Sequence, residues 1–281
     1  MTPEEHAAHV ADWRAARDRR LRSPDGWLAL VGLRWLTPGE NRFGAHPANQ
    51  VVLHGAQVPP RAGSLWLAAD GTVRLAPHSG TEVTHGGELA TDMPLADDSD
   101  GEPAVLELGT LRFHLIRRGE RIGLRVRDAA SPTLQSFGGL DHFPTDPSWR
   151  VSARLEPAPP GTTVEIVDIT GAVSHDETPG TMAFERDGAI WRLAALLGED
   201  GKLWLIFADA TNGTDTYGGG RFLYSDVPET DGRVIVDFNL AYNPPCVFSP
   251  YATCPLPPPQ NRLNLRIEAG ERDWRAPHGA H

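Results

Sequence analysis

Between Asp209 and Asn261 the chain gathers side chains of the kinds that move protons, hold anions or attack electrophiles. Asp209 closes an apolar run, 203–207, and Asp237 interrupts the run Arg233-Val-Ile-Val-Asp237-Phe-Asn239. A carboxylate in an apolar strand must be paired or solvated, so both are acid/base candidates. Arg221 supplies a cation for an anionic or carboxylate ligand. Thr216, Tyr217, Asn239, Tyr242 and Asn243 supply hydrogen bonds that could orient a ligand. Cys246 is a candidate nucleophile, which needs a base or cation nearby. The catalytic candidates are therefore Asp209, Asp237 and Cys246.

Each residue also has a structural alternative. Asp209 before Asn212-Gly213 can cap a turn. Arg221 and Asp237 can form an ion pair, because strand alternation puts Asp237 and Asn239 on one face with Ile235. Tyr217-Gly-Gly-Gly-Arg221 lacks the Gly-Lys-Ser/Thr ending of a phosphate loop, and glycines before a strand often mark close backbone packing. Cys246 and Cys254 can be a disulfide, half of a metal site, or two packed thiols. Cys-x7-Cys fits no standard zinc module.

His46, His54, His78, His85, His114, His142 and His175 show no His-x-His or His-x-x-x-His pairing, and there is no Gly-x-Ser-x-Gly elbow. Neither a metal site nor a Ser-His-Asp triad is expected. No nucleotide or flavin signature is present, so no cofactor is expected.

These residues need a scaffold, and the pattern points to strands. Residues Pro3 to Leu21 form the one long helical stretch, with Val10, Trp13, Ala16 and Leu21 as its apolar stripe; Ser23-Pro24 stops it. From Trp27 on, short apolar runs alternate with turn residues, as in Leu111-Arg-Phe-His-Leu115. One interior helix is expected over 194–197, and a last strand over 263–267. Gly 29 and Pro 25 fit many turns. The predicted fold is mostly β: an N-terminal helix over 1–24, a β-sandwich over 25–118, and an antiparallel sandwich or barrel over 119–275 with a short tail, 276–281. The soft boundary lies between Arg118 and Pro132.

Composition bounds the partners. A net charge of −11 over 281 residues argues against a nucleic acid or an anionic membrane, which need a basic face. No run is long and apolar enough for a span, and no signal core opens the sequence. A cytoplasmic location is expected, with Cys246 and Cys254 reduced. Lys202, the only lysine, lies in a turn-like stretch unsuited to Schiff-base chemistry.

Two resemblances add to this reading. Leu36-Thr-Pro-Gly-Glu-Asn-Arg-Phe43-Gly44, Asn49-Gln-Val-Val-Leu53, Asp70–Leu75 and Leu106–Phe113 resemble strands of the forkhead-associated β-sandwich. The phosphothreonine-reading residues are missing: Ala45 stands where an arginine is expected, and only Arg61 remains of the Ser-Arg-x-His element. Phosphopeptide binding is therefore not implied. Gly26–Leu33, Phe137-Gly-Gly-Leu, Tyr217–Leu223 and Asp237–Leu263 resemble a bacterial family known only as a domain of unknown function. That resemblance covers roughly Trp27 to Glu271, with its most specific phrases in the C-terminal half, and implies no activity. The expected function is a small-molecule enzyme, with hydrolase as the default class. The alternatives are a non-catalytic interaction protein and a redox sensor built on Cys246 and Cys254.

Overall fold

The charged N-terminal stretch folds as a single α-helix, Pro3–Leu21, in the computed structural model of the chain, which describes residues 1–99 and 101–274. Glu4 and Glu5 open it and Arg19 and Arg20 close it, matching the charge preference of helix ends. His6, Val10 and Arg17 are buried and Trp13 is half-buried. Spacings of four, three and four put these residues on one face. Two of the buried positions on that stripe are thus polar.

Two units follow from the pattern of contacts. One comprises Leu21–Phe137 of the described chain; the other joins Met1–Arg20 to the chain from Gly138 on.

The first unit contains two sheets. Leu30–Trp35, Arg121–Asp128, Leu111–Arg118, Leu106–Leu108, Thr84–His85 and Glu88–Leu89 form one, in that spatial order; Val51–Val52, Gly39–Gly44, Gly63–Leu67, Val73–Pro77 and Met93–Leu95 form the other. Phe43, Leu65 and Leu75 of the second meet Leu106, Phe113 and Leu124 of the first in a shared core. The expected β-sandwich is present. Strand Arg121–Asp128 is paired on both sides, with Leu30–Trp35 and Leu111–Arg118. The division between units therefore lies at Phe137/Gly138, beyond this strand, and not within the expected 118–132 interval.

The second unit is built on a six-stranded antiparallel half-barrel sheet. Its spatial order is Arg221–Tyr224, Leu203–Phe207, Ala189–Leu197, Gly180–Arg186, Arg150–Pro157 and Arg233–Asp237. A separate hairpin pairs Thr163–Val167 with Val173–Glu177. The core contains Phe184, Leu205, Phe207, Val236 and Phe238, with Leu263, Leu265, Ile267 and Ala269 packed among them.

Two local expectations are corrected. Residues 194–197 are not helical; they complete the strand Ala189–Leu197, because Leu193 and Ala195 must face the core on a sheet period. Residues 263–267 alternate buried and exposed as a strand would, yet they form no regular strand. The segment is bound to Ala208 and Ala210 by backbone bonds, and beyond that by side chains. The tail 276–281 lies outside the described residues. Among the described residues, no helix is long and apolar enough to cross a membrane.

Candidate functional site

Arg221 begins one edge strand of the half-barrel sheet and Asp237 ends the other, and the two do not pair. Arg221 Nη2 lies 2.7 Å from Asp209 Oδ2, with both side chains fully enclosed. The same guanidinium donates to Ile267 O at 2.9 Å and to Ala269 O. Asp209 Oδ1 accepts from the Ile267 N–H at 3.2 Å and from Thr211 N–H and Oγ1–H. The pair thus takes the place of a neighbouring strand for residues 267–269. A buried backbone polar group needs a partner, and an irregular segment finds it here in side chains. Burial lowers the Arg221 pKa while Asp209 opposes the shift.

Packing requires a glycine at Gly220, directly before Arg221. Its φ is +95°, and a side chain there would press on Phe207 O at 2.7 Å and on Pro257. Close packing, not anion binding, accounts for this glycine. Thr216 is buried beside Thr211, Oγ1 to Oγ1 2.8 Å.

Asp237 meets a residue outside the expected set. His6 Nε2, from the N-terminal helix, lies 2.6 Å from Asp237 Oδ2, and both residues are buried. Asp237 Oδ1 accepts from Asn239 N–H and Nδ2–H, so the carboxylate caps the short 3-10 turn Phe238–Leu240. Asn239 also exchanges two bonds with the Asp146 peptide, each 2.9 Å.

Asn243 is held by a second pair. Arg17 Nε lies 3.0 Å from Glu271 Oε1; Glu271 Oε2 accepts the Asn243 N–H at 2.7 Å, and Arg17 Nη2 donates to Asn243 O at 2.9 Å. One ion pair therefore binds both polar groups of a single peptide residue. The Asn243 side chain donates to Arg272 O. Tyr242 lies under Arg17, guanidinium carbon to ring centre 4.8 Å, and burial pushes its hydroxyl pKa up. Burial also raises the Glu271 pKa, against Arg17.

Asn261 was another residue without an expected role. Strands Ala189–Leu197 and Leu203–Phe207 pair only at Leu196–Trp204 and Leu197–Leu203. Where they part, the Asn261 amide bonds Ala194 N–H, Ala194 O and Ile206 O at 2.7–2.9 Å.

With the carboxylates enclosed, the thiols remain. Cys246 is partly exposed, Cys254 is buried, and neither is in a disulfide. The Cys246 N–H points at Cys254 Sγ, 3.1 Å away. Cys246 sits in a short 3-10 turn, Pro245–Val247, behind two prolines that stiffen the approach. Hydrogen bonding to the Cys254 side chain, reinforced by Tyr217, lowers the Cys246 pKa to about 7, against the pull of burial. Burial and the same contact with Cys246 push the Tyr217 hydroxyl up, so it stays a donor. Cys254 is fixed from behind: its carbonyl accepts from Ile169 N–H at 2.9 Å, at the tip of the separate hairpin. This grouping of Tyr217, Cys246 and Cys254 can form a thiolate near neutral pH beside a second thiol.

A cleft of about 580 Å³ opens in the first unit, lined by Glu82, Leu89, Glu107, Thr110 and Arg112 among others. Arg112 is already paired with Asp25 at 2.6 Å and Glu107 at 3.3 Å. Among the described residues, no group of three or more His, Cys, Asp or Glu side chains could hold a metal ion.

Fold and site together define a mostly β, two-unit protein whose C-terminal unit carries a pair of neighbouring cysteines outside any disulfide. Residues 135–272 match the family described as "Protein of unknown function (DUF1684)", and the chain belongs to that family. The matched span is shorter than the expected Trp27 to Glu271: it leaves out the β-sandwich, and also the N-terminal helix, although the helix packs in the same unit. An uncharacterized protein of Haloarcula marismortui, solved by solution NMR, is 34% identical over 49% of this chain and 78% of its own, with a TM-score of 0.41. No curated protein matches the chain.

Proposed function

We propose that Cys246 and Cys254 are a redox-active dithiol whose oxidant is a small hydroperoxide. The placement of Cys254 Sγ 3.1 Å from the Cys246 N–H, with the Cys254 and Tyr217 side chains both favouring the Cys246 thiolate, carries this reading. The Asp209 and Asp237 carboxylates support hydrolytic acid/base chemistry less well, because each is buried and saturated by protein partners.

The Cys246 thiolate attacks one oxygen of the O–O bond. An S–O bond forms, the O–O bond breaks, and the departing alkoxide takes a proton from water. The Cys254 sulfur, losing its proton, then attacks the Cys246 sulfenic acid and releases water. Two thiols are oxidised by two electrons in all, and one hydroperoxide becomes an alcohol. Tyr217 O–H steadies the thiolate. A cytoplasmic setting fits the reading, since both thiols would rest reduced there.

Intact mass after one equivalent of hydroperoxide tests it. The wild type should lose two hydrogens, Cys254→Ser should stop at a trappable sulfenic acid, and Cys246→Ser should not react. Two unmodified thiols in the wild type would dismiss the proposal.

A further inference from the structure

We infer that Arg17, on the N-terminal helix, is a positioning residue for the Cys246 thiol. The inference rests on the dithiol reading for its purpose, and on independent geometry for its content. Arg17 touches the cysteine loop on both flanks. Upstream, its Nη2 donates to Asn243 O at 2.9 Å, while its Glu271 partner takes the Asn243 N–H at 2.7 Å. Downstream, the guanidinium carbon lies 5.7 Å from the centre of the Phe248 ring, which packs on Trp274 at 5.4 Å. Cys246 lies between these two anchors.

The intervening chain is stiff. Pro244 and Pro245 fix two successive φ angles, so an anchor at Asn243 is transmitted to Cys246 with little slack. Backbone bonds from Val247 to Pro244 O and from Phe248 to Pro245 O close the turn. The hydrogen bonds that Cys246 makes to Cys254 and Tyr217 depend on where this loop is held. Hydrogen bonds weaken steeply once alignment is lost, so a modest shift of the loop would cost the thiolate its support. Arg17 itself touches neither sulfur among the contacts described; it acts through the loop.

The other polar links of the helix supply controls. His6 binds Asp237, and Arg14 donates to Phe143 O at 3.0 Å. Both tie the same helix to the same unit at places other than the cysteine loop. Loosening of the helix in general should therefore follow from any of the three, whereas displacement of Cys246 should follow from Arg17 alone.

The test is the pH profile of Cys246 alkylation by iodoacetamide, read by mass on the full chain, for wild type, Arg17→Ala, Arg17→Lys, Arg14→Ala and His6→Ala. Arg17→Ala should move the profile to higher pH and slow alkylation at pH 7 by roughly tenfold, as the thiol returns toward its ordinary range. Arg17→Lys keeps a charge facing Glu271 but not the fork that spans Glu271 and Asn243, and should lie between. It also serves as the readout if Arg17→Ala does not fold. Arg14→Ala and His6→Ala should keep the wild-type profile. An unshifted profile in folded Arg17 variants would overturn the inference, and so would equal shifts in all three positions. Alkylation needs no peroxide: a wild type inert to hydroperoxide but sensitive to Arg17 would sink the redox function and leave the positioning role standing.

Discussion

Arg221 Nη2 lies 2.7 Å from Asp209 Oδ2, in a pair fully removed from solvent that also binds the backbone of residues 267–269. Removing one partner would leave a buried charge and two stranded carbonyls. Arg221→Ala should therefore lower unfolding free energy by about 3–5 kcal/mol, a large share of an ordinary domain's stability. Urea denaturation of the variant measures it. A change within about 0.5 kcal/mol, the usual range for surface positions, would mean the pair does not hold this segment.

His6 and Asp237 make a second buried pair, reaching from the N-terminal helix to an edge strand. His6→Ala should cost about 1.5–3 kcal/mol, the usual range for a hydrogen bond to a charged group. His6→Gln, which can still donate to the carboxylate, should recover part of the loss. Equal losses in both variants would assign the effect to packing and not to the hydrogen bond.

In the sandwich, His114 is buried, and burial together with Arg127 and Arg125 lowers its pKa to about 4 from 6.5. The folded protein therefore keeps His114 neutral where the unfolded chain binds a proton. Its contribution is present above pH 6.5 and is lost as the pH falls from 6.5 to 4, amounting to on the order of 3 kcal/mol. His114→Gln should flatten the stability–pH curve across that window. An unchanged slope would mean that His114 is not the responsible group.

For the thiols, Cys246 lies near pH 7 chiefly through Cys254 and secondarily through Tyr217. Cys254→Ser and Tyr217→Phe should each move the Cys246 alkylation profile to higher pH, the first by more. Since the thiolate reacts, rates at pH 7 should fall in both and converge with wild type above about pH 9. Profiles that superimpose would remove Tyr217 and Cys254 from the site.

Much of the architecture could be read in advance because burial imposes a period. Leu111, Phe113 and Leu115 had to share a face, and they do. The helix is legible too, through its apolar members Val10, Trp13, Ala16 and Leu21. His6 and Arg17 lie on the same line as Val10 and Trp13, and that spacing was the signal that could have found them. Buried polar residues do gather along the stretch from Asp209 to Asn261. Their partners were not legible, because sequence proximity suggested Arg221 for Asp237 while the sheet order puts them at opposite edges. Asn261 and Glu271 act on backbone groups from strands and turns distant in sequence, and no local pattern encodes such a partner.

The pairing of Arg17 with Glu271 spans 254 positions of sequence. On a ribosome adding about 5–20 residues each second, Arg17 is made roughly 13–50 s before its carboxylate partner. The sandwich strands are all synthesised within that interval. The unit that holds the helix cannot be completed until Glu271 has been made, so a stall or truncation before it would release a helix with an unanswered charge. For such a chain, a residue made late decides whether one made 254 positions earlier is ever put in place.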